Sequence, residues 1–225
     1  MKNFHNRLNL FRPESLELRL LPREQDYLQI AGFIVIALSM IEMFTIPREY
    51  FVLGSIVATA TMIFVTFLLR RIERPIRFSA RRIAIGVATA ILLYFVFFLG
   101  NAFIKDYSPF GIHATNEASI YSLFSSTPVP LLIVIFFLDA LGFETYFRGN
   151  LQRLFGAKLG AGVVVLPAFI DALIHFSTLN PLFPATTFVA DVIWGLNYKY
   201  TKDIYSNYVS HFVWDLLIFL IIPIR

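Results

Sequence analysis

The sequence predicts an all-α fold: a polytopic bundle of transmembrane helices with its N-terminus in the cytoplasm. Three observations predict it. Hydrophobic residues make up 57% of the 225-residue chain and charged residues 15%, whereas a soluble domain rarely exceeds about half apolar. Seven apolar stretches follow one another from residue 27 onward, each roughly long enough to cross ~30 Å of hydrocarbon at ~1.5 Å per residue. The basic residues also fall on alternate connections between these stretches, the charge bias that sets membrane orientation.

Residues 1–26 mix charges with Leu16, Leu18, Leu20 and Leu21. They are too polar for a span, and read either as a cytoplasmic amphipathic segment lying on the bilayer or as a solvated tail. They lack the apolar run and small-residue cleavage site of a signal peptide. The spans are expected at about 27–46, 50–69, 83–104, 130–155, 162–179, 183–198 and 206–223, the sixth being short. Pro128 and Pro130 stand where the fourth helix can start. Pro167 predicts a kink in the fifth, and Pro181 and Pro184 bracket a tight connection to the sixth. No linker divides residues 27–225, so they are expected to form a single membrane domain.

With the N-terminus inside, the inner segments hold Lys2, Arg7, Arg12, Arg19, Arg23, Arg70, Arg71, Arg74, Arg77, Arg81 and Arg82. They also hold Arg148, Arg153, Lys158, Lys199 and Lys202. That makes sixteen, against Arg48, Lys105 and Arg225 outside. This topology explains the net charge of +4 and the pI of about 9.4 without a nucleic-acid partner. The chain has no cysteine, which removes disulfides, thiolate metal sites and a cysteine nucleophile. The expected surroundings are a lipid bilayer, in a multi-pass protein of the plasma membrane.

Three helix-spaced polar sets interrupt the later spans: Glu144 with Arg148, Asp171 with His175, and His211 with Asp215. Residues four apart share a helical face, so each set forms one polar patch. Charged and imidazole groups inside lipid are costly and usually face a bundle interior. In an antiparallel hairpin Glu144 and His175 lie at equal depth, roughly 18–20 Å above the turn between them, and Asp215 lies ~18 Å above its own turn. The three sets are therefore expected to meet in one chamber. There a carboxylate can orient an imidazole and set its tautomer. Two imidazoles and a carboxylate could instead hold a divalent metal such as zinc, with one position open for water. Asp139, Asp191 and Glu42 read more as structural groups, Asp191 as a polar contact between helices.

On these residues the chain resembles the CPBP family of intramembrane peptidases, which includes the CAAX prenyl endopeptidases and bacteriocin-processing proteins. The family pattern is Glu-Glu-x-x-x-Arg, then Phe-x-x-x-His, then His-x-x-x-Asn/Asp. Phe143-Glu144-Thr145-Tyr146-Phe147-Arg148 is similar to the first, Asp171 to His175 to the second, and His211 to Asp215 to the third. The resemblance covers about residues 128–223 and implies a hydrolase that cuts membrane-tethered peptides. It carries over Glu144, Arg148, His175, His211 and Asp215 as site residues. Two positions depart. Phe143 replaces the first glutamate, which the family uses with the second-motif histidine to activate water. Asp171 stands where the family has phenylalanine. In one reading Asp171, or Asp139 one turn before Phe143, supplies the missing carboxylate as a general base. In the other, catalysis is lost and the chamber binds or assembles a partner membrane protein. A proton-coupled carrier is disfavoured, since the chain has no repeated halves or paired broken helices.

Overall fold

The computed structural model describes residues 22–69, 79–107, 118–159 and 163–224. Within them every regular element is helical. We label the segments α1 (Pro22–Thr45), α2 (Phe51–Leu68) and α3 (Ala80–Tyr107). The fourth, α4, runs as α-helix over Val129–Phe143, as π-helix over Glu144–Gln152 and as α-helix again over Arg153–Leu159. Then come α5 (Val165–His175), α6 (Leu182–Thr201) and α7 (Ile204–Asp215, continued as π-helix over Leu216–Ile221). The amphipathic or tail reading of the N-terminal segment falls on residues outside those described, apart from the start of α1. That helix begins at Pro22, five residues before the expected span.

Five helical stretches are long and apolar enough to cross a membrane: Asp26–Thr45, Arg48–Leu68, Ala80–Ile104, Val129–Gly156 and Ile204–Ile221. The other two expected spans differ. Val165–Thr178 is a shorter apolar helix. α6 has 20 residues, but Asp191, Asn197 and Lys199 leave it too polar for that group. The two helices pack against each other and turn Asp171 and Asp191 inward, where both are buried and polar residues are tolerated. Pro167 produces no mid-helix kink, because α5 starts at Val165 and the proline falls in the first turn, where its missing N–H costs nothing. Pro128 precedes α4, with Pro130 in its first turn, as expected.

Large apolar side chains on α1, α2 and α3 point outward, among them Leu38, Phe64, Phe67, Leu99 and Phe103. The interior cluster joins Ile36 and Met40 of α1, Met62 of α2 and Tyr146 and Phe147 of α4. Lipid supplies no hydrophobic drive between helices, so close backbone approach at small residues holds them together. Gly86 of α3 lies against α7, where an added Cβ would come within 2.6 Å of the Ser206 carbonyl oxygen. Gly142 of α4 lies against Thr59 of α2, 2.7 Å from its Cγ2 by the same construction. At the α6–α7 turn Asp203 accepts from the Tyr205 N–H at 3.2 Å. It also pairs with Arg82 Nε of α3 at 3.0 Å, which fixes the start of α7 and hence the height of His211.

Candidate active site

A cavity of about 370 Å³ lies between α1, α2, α3, α4, α5, α6 and α7. Asp139, Asp171, His175, Asp191, His211 and Asp215 all line it. The second and third polar sets therefore converge, together with Asp139 and Asp191. The first set takes another place. Glu144 and Arg148 are buried but do not line the cavity; they sit behind its wall.

Their position follows from the π-helical stretch Glu144–Gln152, all nine of whose residues are buried. Its i→i+5 hydrogen bonding is rare, and such stretches are frequent at functional sites. Arg148 Nε pairs with Glu144 Oε2 at 3.3 Å, as the spacing predicts. Arg148 Nη2 donates to Asp191 Oδ1 at 2.7 Å and to the Asp191 carbonyl at 3.0 Å. Asp191 is thus the interhelical contact that its place in the sixth apolar stretch suggested. A buried guanidinium between two carboxylates meets the condition under which buried charge is tolerated, namely pairing plus hydrogen bonding.

Glu144 also reaches α7. His211 Nδ1 lies 3.0 Å from Glu144 Oε1, and Asn207 Nδ2 donates to Glu144 Oε2 at 2.8 Å. An ionised carboxylate only accepts, so the proton of His211 sits on Nδ1 and Nε2 is left free. Nε2 is 3.7 Å from Asp215 Oδ2. Trp194 stacks on the imidazole, 4.0 Å between centroids at 18°, and is held by its own Nε1–H bond to Ser210 Oγ at 3.0 Å. The Nδ1 proton of His211 is therefore held by Glu144 from behind, while Asp215, the expected neighbour, faces Nε2 beyond hydrogen-bond distance.

His175 is held differently. Its Nδ1 lies 2.9 Å from the Asp171 carbonyl oxygen and 3.4 Å from Asp171 Oδ1. A carbonyl only accepts, so again Nδ1 carries the proton and Nε2 is free. Phe183 stacks on the ring at 5.2 Å, with Phe44 at 4.9 Å. Asp171 Oδ1 makes no hydrogen bond among the described residues. The Phe143 ring neighbours both imidazoles, 6.5 Å from His175 and 6.0 Å from His211.

Asp139 accepts the single hydroxyl proton of Ser55, shared between its two carboxylate oxygens at 2.8 Å and 2.9 Å, and a bond from Thr59 Oγ1 at 2.6 Å. Ser55 and Thr59 stand one turn apart on α2. Sequence reasoning passed over them, along with Asn207, although Asn207 precedes His211 by four residues and so shares its face. Glu42 is exposed at the end of α1, away from the chamber. Trp214, also in the lining, carries a buried Nε1–H with no partner among the described residues.

The three-ligand zinc arrangement open to the sequence is not formed among the described residues. No three His, Asp or Glu side chains there are grouped to hold a metal ion. The chemistry available is that of a chamber with two oriented imidazoles and several carboxylates in its lining.

A helical membrane protein with a polar chamber built from its fourth to seventh helices is the class this fold and site define. Residues 125–217 match the family model described as Rce1-like, type II CAAX prenyl endopeptidase Rce1-like, and this match supports membership of the CPBP family. No curated protein and no solved structure matches the chain.

Proposed function

We propose that the chain is an intramembrane endopeptidase of the CPBP type, resident in the plasma membrane, that cuts membrane-tethered peptides. The observation that carries this reading is the pair of histidines on one cavity, each with its Nδ1 proton fixed and its Nε2 free. Position and tautomer are the requirements for a general base.

His211 is the base, because a carboxylate stands behind it to stabilise the imidazolium that forms. Water in the chamber attacks the scissile carbonyl carbon, and His211 Nε2 takes its proton. The carbonyl oxygen becomes an oxyanion, for which Trp214 Nε1–H is the available donor. As the C–N bond breaks, His211 returns the proton to the leaving nitrogen, so the products are a carboxylic acid and an amine. Asp139, held by Ser55 and Thr59, and Asp171 beside His175 position the water where the family places its first glutamate. Glu144 and Arg148 act through His211 as positioning residues.

The test is purified protein in detergent or lipid, offered a library of membrane-tethered peptides. Cleavage lost in both His175→Ala and His211→Ala, with helicity retained, supports the proposal. A folded protein that cleaves nothing counts against it.

A second reading, a non-catalytic relative that binds a partner membrane protein, is favoured by the Phe143 ring beside the two histidines. It predicts co-purification with another chain that His211→Ala leaves intact. It also predicts that Phe143→Glu creates cleavage where the wild type has none.

A further inference from the structure

The two ends of the bundle differ in charge, and the cavity reaches only one of them. One end gathers the start of α1, the end of α2, the start of α3, the end of α4 and the α6–α7 turn. Asn150 of α4 donates to Gln29 of α1 at 3.1 Å, an added Cβ at Gly32 of α1 would meet Val65 of α2, and Arg82 pairs with Asp203. This end carries Arg81, Arg82, Arg153, Lys199 and Lys202. The α2–α3 connection adds Arg70, Arg71, Arg74 and Arg77 in sequence. The other end gathers the end of α1, the start of α2, the end of α3 and the start of α6, and its one basic residue among the described side chains is Arg48. Here the cavity is walled by Phe44, Ile104, Tyr121, Phe124, Ala185 and Ile224. Phe44 packs on Phe183 at 5.3 Å, and the Tyr121 hydroxyl donates to the Ile224 carbonyl at 2.9 Å.

Short connections rich in Lys and Arg stay in the cytoplasm. We propose that the chamber opens at the exoplasmic face, and that its substrate is a transmembrane or signal-anchor type of peptide reached from that side. This rests on the peptidase reading for the word substrate, but the direction of the opening does not. Asp139 is ten residues into α4, so the reacting layer lies ~15 Å below the mouth at ~1.5 Å per residue, near the middle of ~30 Å of hydrocarbon. A peptide must carry its scissile bond that deep from the outer surface. The mouth is walled by aromatic and aliphatic side chains, which suit a segment already in lipid. A C-terminal cysteine prenylated in the cytoplasm is anchored in the opposite leaflet and would not meet this opening.

The chain has no cysteine, so single-cysteine variants report position without background. Glu49→Cys and Ala185→Cys mark the mouth end, the second inside the cavity lining, and Tyr200→Cys marks the basic end, where Tyr200 is 78% exposed. A membrane-impermeant maleimide is applied to spheroplasts of an expressing bacterium, before and after permeabilisation. Glu49→Cys and Ala185→Cys are expected to label in intact spheroplasts, and Tyr200→Cys only after permeabilisation. Labelling of Tyr200→Cys alone in intact spheroplasts overturns the orientation. Labelling of Glu49→Cys without Ala185→Cys overturns the opening. Neither outcome depends on catalysis, so the result stands apart from any failure to cleave.

Discussion

His211 and His175 share one cavity but live in unlike surroundings. Behind His211 lies a charged network of Glu144, Arg148, Asp191 and Asn207, drawn from α4, α6 and α7. Behind His175 lies a backbone carbonyl of its own helix, with Phe44 and Phe183 against the ring. Both arrangements put the proton on Nδ1. At His211 the Nδ1 partner is itself a carboxylate, hydrogen-bonded at 3.0 Å, whereas at His175 it is a carbonyl and the Asp171 carboxylate stands farther off, at 3.4 Å, so a protonated ring is better stabilised on the first. The difference assigns proton transfer to the α7 side and leaves the α5 side to hold water. It also places most of the cost of buried charge on the same side as the chemistry.

The largest effect is therefore expected at His211. Replacing it by alanine should lower the cleavage rate about 10²–10⁴-fold, the usual worth of a general base, while His175→Ala should cost roughly tenfold less than that. Initial rates on one tethered peptide decide it, and the reverse order would erase the distinction between the two sides. Next in size is the network itself. Arg148→Met leaves Glu144 and Asp191 buried without their cation, which should lower stability by about 3–5 kcal/mol. Thermal or denaturant unfolding in detergent measures this. An unchanged midpoint would mean that the buried charges do not need the guanidinium.

A smaller effect is expected where the two sides meet over the substrate. Trp214→Phe keeps an aromatic ring, smaller than the indole, but removes the N–H, and should reduce kcat by about 10²-fold if that donor serves the oxyanion, with KM little changed. A change in KM alone would make Trp214 a packing residue. The smallest change is at the α2 wall. Thr59→Val removes one hydrogen bond to Asp139 and should cost about 1 kcal/mol of stability, with the Ser55 hydroxyl proton still shared between the carboxylate oxygens. A drop as large as that of Arg148→Met would show Asp139 to depend on Thr59 alone.

Much of this was legible in the sequence, for a physical reason. Helical spacing fixes which side chains share a face, and the cost of charge in lipid fixes which way the face turns. So Asp171, His175, His211 and Asp215 could be brought to one cavity from their positions alone, and Glu144 paired with Arg148. What spacing does not encode is the partner on another helix. The bonds from Asn207 and His211 to Glu144 and from Ser55 and Thr59 to Asp139 join residues 63 to 84 positions apart, and depend on the rotation of each helix about its axis. Nor does spacing reveal the π-helical turn that sets Glu144 and Arg148 behind the wall. The fifth helix was drawn too long at its start, so a proline in its first turn read as a kink.

The chain contains two tryptophans in all, and Trp194 and Trp214 both line the chamber, 5.6 Å apart. Tryptophan emission from this protein, excited apart from the ten tyrosines, therefore originates at its site. An imidazolium quenches a stacked indole more strongly than a neutral ring does, so this emission responds to the charge on His211, and a Trp214→Phe background isolates the Trp194 part. Ligand entry and proton transfer can thus be followed optically, without a label and without turnover.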